Sequence, residues 1–140
     1  MAGAVVVDSN IIIRSITTLG PNPYRSLVTG WLTESIEVHT PSLLRFEVTS
    51  ALWRIENTGQ SPPQSAEQFL EIFGLLSIRY NDHGSDHASA VGFARRFKLS
   101  KAYDAHFLAV AERIGAPFWT ADERLVKAVG NELPWVNLVQ

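Results

Sequence analysis

Four acidic side chains stand in places where composition alone would not put them. Asp8 follows the β-branched run "AVVV" and precedes "SNIII", so a carboxylate separates two segments that both favour burial. Asp122 repeats the arrangement, after "PFWT" and before "ERLVKAVG". Glu47 and Asp104 lie inside stretches of helical period. At roughly 100° per residue, "PSLLRFEVTSALWRIEN" gathers Leu43, Leu44, Val48, Ala51, Leu52 and Ile55 on one arc that includes Glu47. Glu56 falls opposite, with Arg45 and Thr49, where a solvated glutamate belongs. In "KAYDAHFLAVAERIG" the arc of Tyr103, Phe107, Leu108, Val110, Ala111 and Ile114 takes in Asp104, and His106, Ala109 and Arg113 occupy the far face.

A carboxylate on an apolar face needs a cation, a hydrogen-bonding shell or the rim of a cleft, because burying it unpaired costs several kcal/mol. Each acid has an ordinary explanation by itself. Asp8 and Asp122 suit helix N-caps, and Arg54 is near enough along its helix to pair with Glu47. One shared divalent ion accounts for all four together. Mg²⁺ and Mn²⁺ prefer oxygen ligands and are commonly held by one or two carboxylates, water and a substrate phosphate. That donor set suits phosphodiester hydrolysis, in which the metal polarises the phosphoryl group and activates water.

The elements that must position these acids are readable from period and punctuation. "AVVV", "IEVH", "SIRY", "PFWT" and "WVNLV" are strand-like, and helical patterns separate them: "SNIIIRSIT", "PYRSLVTGWLTE", the Glu47 stretch, "PPQSAEQFLEIFGLL", "SDHASAVGFARRFK", the Asp104 stretch and "DERLVKAVG". Pro41 and Pro62 mark helix starts, and Gly59 and Gly115 mark stops. Short strands alternating with helices predict an α/β chain with three α/β/α layers around a mainly parallel sheet of about five strands. In such sheets ligands bind beyond the carboxyl ends of the strands, where Asp8 and Asp122 fall. Residues 1–140 read as a single domain, with "TLGPNPY", "NTGQSPPQ" and "NDHGSD" as internal connections.

Composition narrows the chemistry. The 140 residues contain no cysteine, which excludes disulfides, thiolate nucleophiles and Cys-based metal sites and suits a reducing cytoplasm. The first apolar run is cut by Asp8, Ser9 and Asn10 before it reaches the length of a signal peptide core or membrane span, so a soluble cytoplasmic protein is expected. A formal charge of −2 gives no bulk basic character, so any polyanion must be held locally.

The ordered set "VVVDSN", "LLRFEVTSAL", "YDAHFLAVAE" and "TADERL" resembles the PIN-domain ribonucleases over nearly the whole chain, and most of all the VapC toxins of toxin–antitoxin pairs. The resemblance implies a compact Rossmann-like domain whose acidic pocket binds Mg²⁺ or Mn²⁺ and cleaves single-stranded RNA. It also implies that Asp8 and Asp104 are the principal metal ligands and that Glu47 and Asp122 complete the acidic set. Thr120 matches a hydroxyl position of the last motif, and Asn10 is a further supporting residue; both also suit local turns. The partners implied are RNA, a VapB-like antitoxin covering the pocket and a second copy of the chain. The bulky residues Trp31, Phe46 and Trp53 in early helices add to the expectation of a homodimer.

Other signals are weaker. His83 and His87 have a metal-compatible spacing, but His83 falls among turn residues ahead of the helix, and His106 lies on the polar face of the Asp104 helix. Arg95, Arg96, Lys98 and Lys101 form a basic cluster that fits either a solvated helix end or an RNA-backbone contact. Trp31, Trp53, Trp119 and Trp135 fit core or interface positions better than base stacking. Three rival functions share the acidic edge. A receiver-type signalling domain needs a lysine at its last strand, which "WVNLVQ" lacks, and the acid after "SIRY" is displaced to Asp82. A haloacid-dehalogenase-type phosphatase needs an Asp where Asn10 stands. A non-cleaving PIN domain used for binding is the third.

Overall fold

A computed structural model describes residues 3–140. Among them, strands β1 (Ala4–Val7), β2 (Glu37–Thr40), β3 (Ile78–Tyr80), β4 (Phe118–Thr120) and β5 (Val136–Leu138) form one sheet in the order β3-β2-β1-β4-β5. Every pairing is parallel. Seven α-helices complete the described chain: α1 (Ser9–Thr17), α2 (Pro23–Thr33), α3 (Leu43–Asn57), α4 (Ser65–Gly74), α5 (Ser85–Phe97), α6 (Tyr103–Ile114) and α7 (Glu123–Val129). A single 3₁₀ turn, Gly130–Glu132, follows α7. The expected α/β architecture is present, with the sheet wholly parallel.

The chain lays β2 and β3 to one side of β1 and then returns to place β4 on the other. Strand order therefore reverses between β1 and β4, and the carboxyl ends of these two strands flank the crevice that such a reversal opens. Register makes the juxtaposition specific. Val7 is opposite Trp119, and the Asp8 N–H donates to the Trp119 carbonyl at 2.9 Å, so the residues that follow each strand emerge side by side.

Val6, Val7, Ile11, Ile12, Phe107, Leu108 and Phe118 are inaccessible to solvent, which identifies β1, β4, α1 and α6 as the centre of the core. Helix α1 packs on α2, α3 and α4, while α6 packs on α5, β1 and β4. The helical wheel of α6 needs two corrections. Ala109, expected on the polar face, is buried because α5 covers that flank, and Tyr103, expected inside, is exposed at the helix's first turn. Trp31 also differs from its reading as an interface residue. It is buried, its ring 6.2 Å from that of Trp119, whereas Phe46 and Trp53 remain exposed on α3.

Helix punctuation is displaced at the prolines. Pro41 and Pro62 lie in turns whose carbonyls accept from Leu44 and Ser65, so α3 and α4 begin at Leu43 and Ser65 rather than at the prolines. The glycine stops act as expected: Gly115 caps α6 with a φ of +68°, a conformation that side chains disfavour. Glu56, expected to be solvated, is only partly exposed, and its Oε1 accepts the Ala66 N–H at the start of α4.

Candidate active site

Asp8 leaves β1 as the N-cap of α1, with Oδ1 accepting the Ser9 N–H at 2.8 Å. Capping occupies one oxygen. The other, Oδ2, accepts the Thr120 hydroxyl at 2.7 Å and a longer bond of 3.4 Å from the Asn10 amide. Thr120 is fully buried at the end of β4, and its Oγ1 in turn accepts the Asp122 N–H at 3.0 Å. Asn10 closes the bridge, its amide reaching Thr120 Oγ1 at 3.3 Å and its carbonyl accepting the Ala121 N–H at 3.1 Å. The two strand ends are thus joined by a network in which Thr120 and Asn10 hold the acids rather than standing apart as turn formers.

Asp122 caps α7, and both cap bonds, from Arg124 N at 2.9 Å and Leu125 N at 3.3 Å, fall on Oδ1. Glu47 is brought to the same edge because α3 packs on α1, and it lies beside Ser9. Asp104 is in the first turn of α6, the helix packed on β1 and β4. All four acids are neighbours around the carboxyl ends of β1 and β4, although among the described residues no three His, Asp or Glu side chains are already arranged as a metal cage.

Asp8, Glu47 and Asp104 are all raised above the ordinary carboxylate range. Burial raises the Asp8 pKa to about 7; the Thr120 hydrogen bond opposes the rise, and the charges of Asp104 and Glu47 add to it. Burial also raises Glu47, with Ser9 working against the shift and Asp104 reinforcing it. Asp104 is raised by burial first and then by Asp122, while Lys101 lowers it. Among the described residues none of the four forms an ion pair, so the Arg54–Glu47 explanation fails. Glu47 Oε1 is buried without a hydrogen-bond partner, a costly condition for a carboxylate. A partly formed set of hard oxygen donors fits Mg²⁺ or Mn²⁺, since these ions commonly take only one or two protein carboxylates directly and fill the remaining positions with water and phosphate.

Residues weighed as rivals are engaged elsewhere. Asp82 accepts the Ser42 N–H at 2.9 Å and also bonds the Ser42 hydroxyl, tying the start of α3 to the segment after β3. His83 precedes α5 and bonds Ser85, while His87 and His106 place ring nitrogens 3.0 Å apart between α5 and α6. A surface depression of about 740 Å³ runs along α2 and holds none of the four acids.

One polar assembly, built on the buried Asp86 and open to solvent at Arg113, was not anticipated. Arg113, read as a far-face residue, makes a two-pronged contact with Asp86, with Nε to Oδ1 at 2.8 Å and Nη2 to Oδ2 at 2.9 Å. It also bonds both the side chain and the backbone carbonyl of Asn81, locking α6 to the segment between β3 and α5. The partners lie far apart in sequence, and helix spacing carries no signal for them.

Comparison with known proteins agrees with this architecture. The chain is 28% identical over 97 residues to ribonuclease VapC3 of Pyrobaculum aerophilum, an alignment covering 69% of this chain and 74% of that one. Its fold is similar to that of a chain in a toxin–antitoxin complex from Klebsiella pneumoniae, with a TM-score of 0.69, 18% identity and 94% of each chain covered. It is also similar to one in VapBC2 from Rickettsia felis bound to a promoter DNA fragment, with a TM-score of 0.68, 14% identity and 96% of each covered. The family model described as PIN domain matches residues 5–131, and the chain belongs to the PIN-domain family.

Proposed function

We propose that this chain is a divalent-metal-dependent endoribonuclease that cuts single-stranded RNA and acts as the toxin of a toxin–antitoxin pair. The observation that carries the proposal is the partly buried acid cluster at the β1/β4 crevice, which forms no ion pair among the described residues, in particular the partnerless Glu47 Oε1 beside Asp8 and Asp104. Asp8 and Asp104 would hold Mg²⁺ or Mn²⁺, with Glu47 and Asp122 completing the acidic wall. When bound, the metal supplies Lewis-acid stabilisation of the phosphoryl oxygens and a water of lowered pKa. Thr120 fixes Asp8 Oδ2 and the Asp122 backbone through one hydroxyl, and Asn10 holds that hydroxyl from the side. Both are positioning residues. Glu47 is raised in pKa by burial and by Asp104 against the pull of Ser9, and its Oε1 has no hydrogen-bond partner.

Partners follow the same reading. A VapB-like antitoxin would cover the acidic pocket, and the exposed Phe46 and Trp53, two helical turns apart on one side of α3, suit a second copy of the chain. No helix among the described residues is long and apolar enough to cross a membrane.

The test is cleavage of a single-stranded RNA by purified protein. Activity with Mg²⁺ or Mn²⁺ that vanishes in excess EDTA is expected; undiminished cutting in EDTA, or by Asp8→Asn, would overturn the proposal. Light scattering reads the dimer separately.

A further inference from the structure

Two depressions flank Asp122 at the carboxyl edge of the sheet. One, of about 480 Å³, is lined by Asn10, Arg14, Ala121, Asp122, Glu123 and Arg124, so two bases there face two acids. The other, of about 370 Å³, is lined by Lys98, Ser100, Lys101, Asp104, Asp122 and Arg124. Each therefore sets cationic side chains beside an acid of the site, and Arg124 borders both.

The four bases are exposed and available. Among the described residues Lys98, Lys101 and Arg124 form no ion pair, and Arg14 bonds only the Tyr24 hydroxyl through Nη1 while its guanidinium lies over that ring. The basic cluster seen in the sequence divides at this point. Arg96 turns away to Glu132 at 3.1 Å, and Arg95 borders neither depression, leaving Lys98 and Lys101 on the side of the acids. Lys101 is close enough to Asp104 to act on its charge.

Four carboxylates repel a polyanion, and the chain's net charge of −2 offers no compensating field at long range. A phosphodiester strand passing the acids needs positive charge on both sides of the point of cleavage, within contact distance. We propose that the two depressions are one phosphate track for single-stranded RNA, with Arg14 holding the strand on one side of the acids, Lys98 and Lys101 on the other, and Arg124 between. This inference rests on the ribonuclease reading and adds the path of the substrate.

The test uses the whole chain and a short end-labelled single-stranded RNA in EDTA, with affinity measured by fluorescence anisotropy across a salt series. Lys101→Gln, Arg124→Gln, Arg14→Gln and Lys98→Asn are compared with Arg95→Gln and Lys127→Gln, which border neither depression. Asn is chosen at Lys98 because that residue has a φ of +56°, which Asn tolerates. Each track variant is expected to weaken RNA binding and reduce the slope of log affinity against log salt by about 0.7, the loss of one phosphate contact on a single strand. The two controls should keep the wild-type slope, and Mn²⁺ affinity measured by calorimetry should be unchanged in the Arg14, Lys98 and Arg124 variants, whereas Lys101→Gln also removes a charge beside Asp104. Wild-type slopes in the track variants, or an equal loss in the controls, would overturn the track. A chain that binds RNA with the expected slopes but cuts none with Mg²⁺ or Mn²⁺ would refute the nuclease reading while supporting the track.

Discussion

The Thr120 hydroxyl donates to Asp8 Oδ2 at 2.7 Å while accepting the Asp122 N–H at 3.0 Å, so one buried oxygen couples the ends of two strands. Thr120→Val keeps the shape of the side chain and removes both bonds together with the one from the Asn10 amide. Second-layer partners of metal ligands typically contribute 10- to 100-fold to affinity or activity. Thr120→Val is expected to lose RNA cleavage by about that factor, with Thr120→Ser restoring most of it. Steady-state kinetics under saturating Mn²⁺ will show whether the loss is in turnover or in metal binding; equal activity of the Val variant would refute a positioning role.

Asp104 carries charge that Asp8, Glu47 and Asp122 all oppose. Asp104→Asn should therefore abolish cleavage, leave the metal-free protein as stable as wild type or more so, and shrink the stabilisation conferred by Mg²⁺. Thermal melts with and without EDTA check this. A metal-free variant clearly less stable than wild type would make Asp104 a structural residue.

Asp8 has a folded pKa near 7, above its ordinary value of 3.8. The metal-free folded state consequently binds more protons than the unfolded chain between those values. Its contribution to stability is fully present below the lower value and declines by about 1.4 kcal/mol per pH unit until the higher is passed. Denaturant titrations in EDTA from pH 4 to 8 should show this fall, offset by Mg²⁺ at the alkaline end, where the deprotonated site binds the ion. A profile clearly shallower for Asp8→Asn than for wild type would assign that share of the effect to Asp8, the remaining slope belonging to Glu47 and Asp104.

Arg113 and Asp86 behave oppositely. Burial would raise Asp86, but the Arg113 bonds and the His83 N–H together hold it below the ordinary range. Its contribution is thus present above the unfolded value and lost as pH falls through the folded one. Arg113→Leu leaves the Asp86 carboxylate with the His83 N–H as its remaining donor and should destabilise the chain by about 1.5 to 3 kcal/mol, the range for hydrogen bonds to a charged group. Chemical denaturation measures this, and a change below about 1 kcal/mol would show the pair to be solvent-screened.

Local pattern made much of this fold legible. Runs such as "AVVV" and "PFWT" are strands because β-branched and aromatic residues fill both faces of a buried parallel sheet, and Gly115 ends α6 through a φ few other residues adopt. The acids were visible because each violates the pattern around it. What periodicity could not supply was environment. Ala109 is buried only because α5 covers a second flank of α6, and Trp31 packs on Trp119, almost ninety positions away. Glu56 is drawn to the start of α4 because Gln64, at the cap position, provides no side-chain bond of its own. Likewise Arg25 clasps the carbonyls of Ser15, Thr18 and Gly20, holding the α1–α2 connection, through contacts that exist only after the chain has turned.

The strands at the two margins of the sheet, β3 and β5, are three residues long. Each exposes so short a row of unpaired amides and carbonyls that an incoming chain would find little backbone to extend. Affinity for any protein companion must come mainly from side chains received on helices, so recognition should follow the partner's amphipathic pattern rather than its capacity to become a sixth strand.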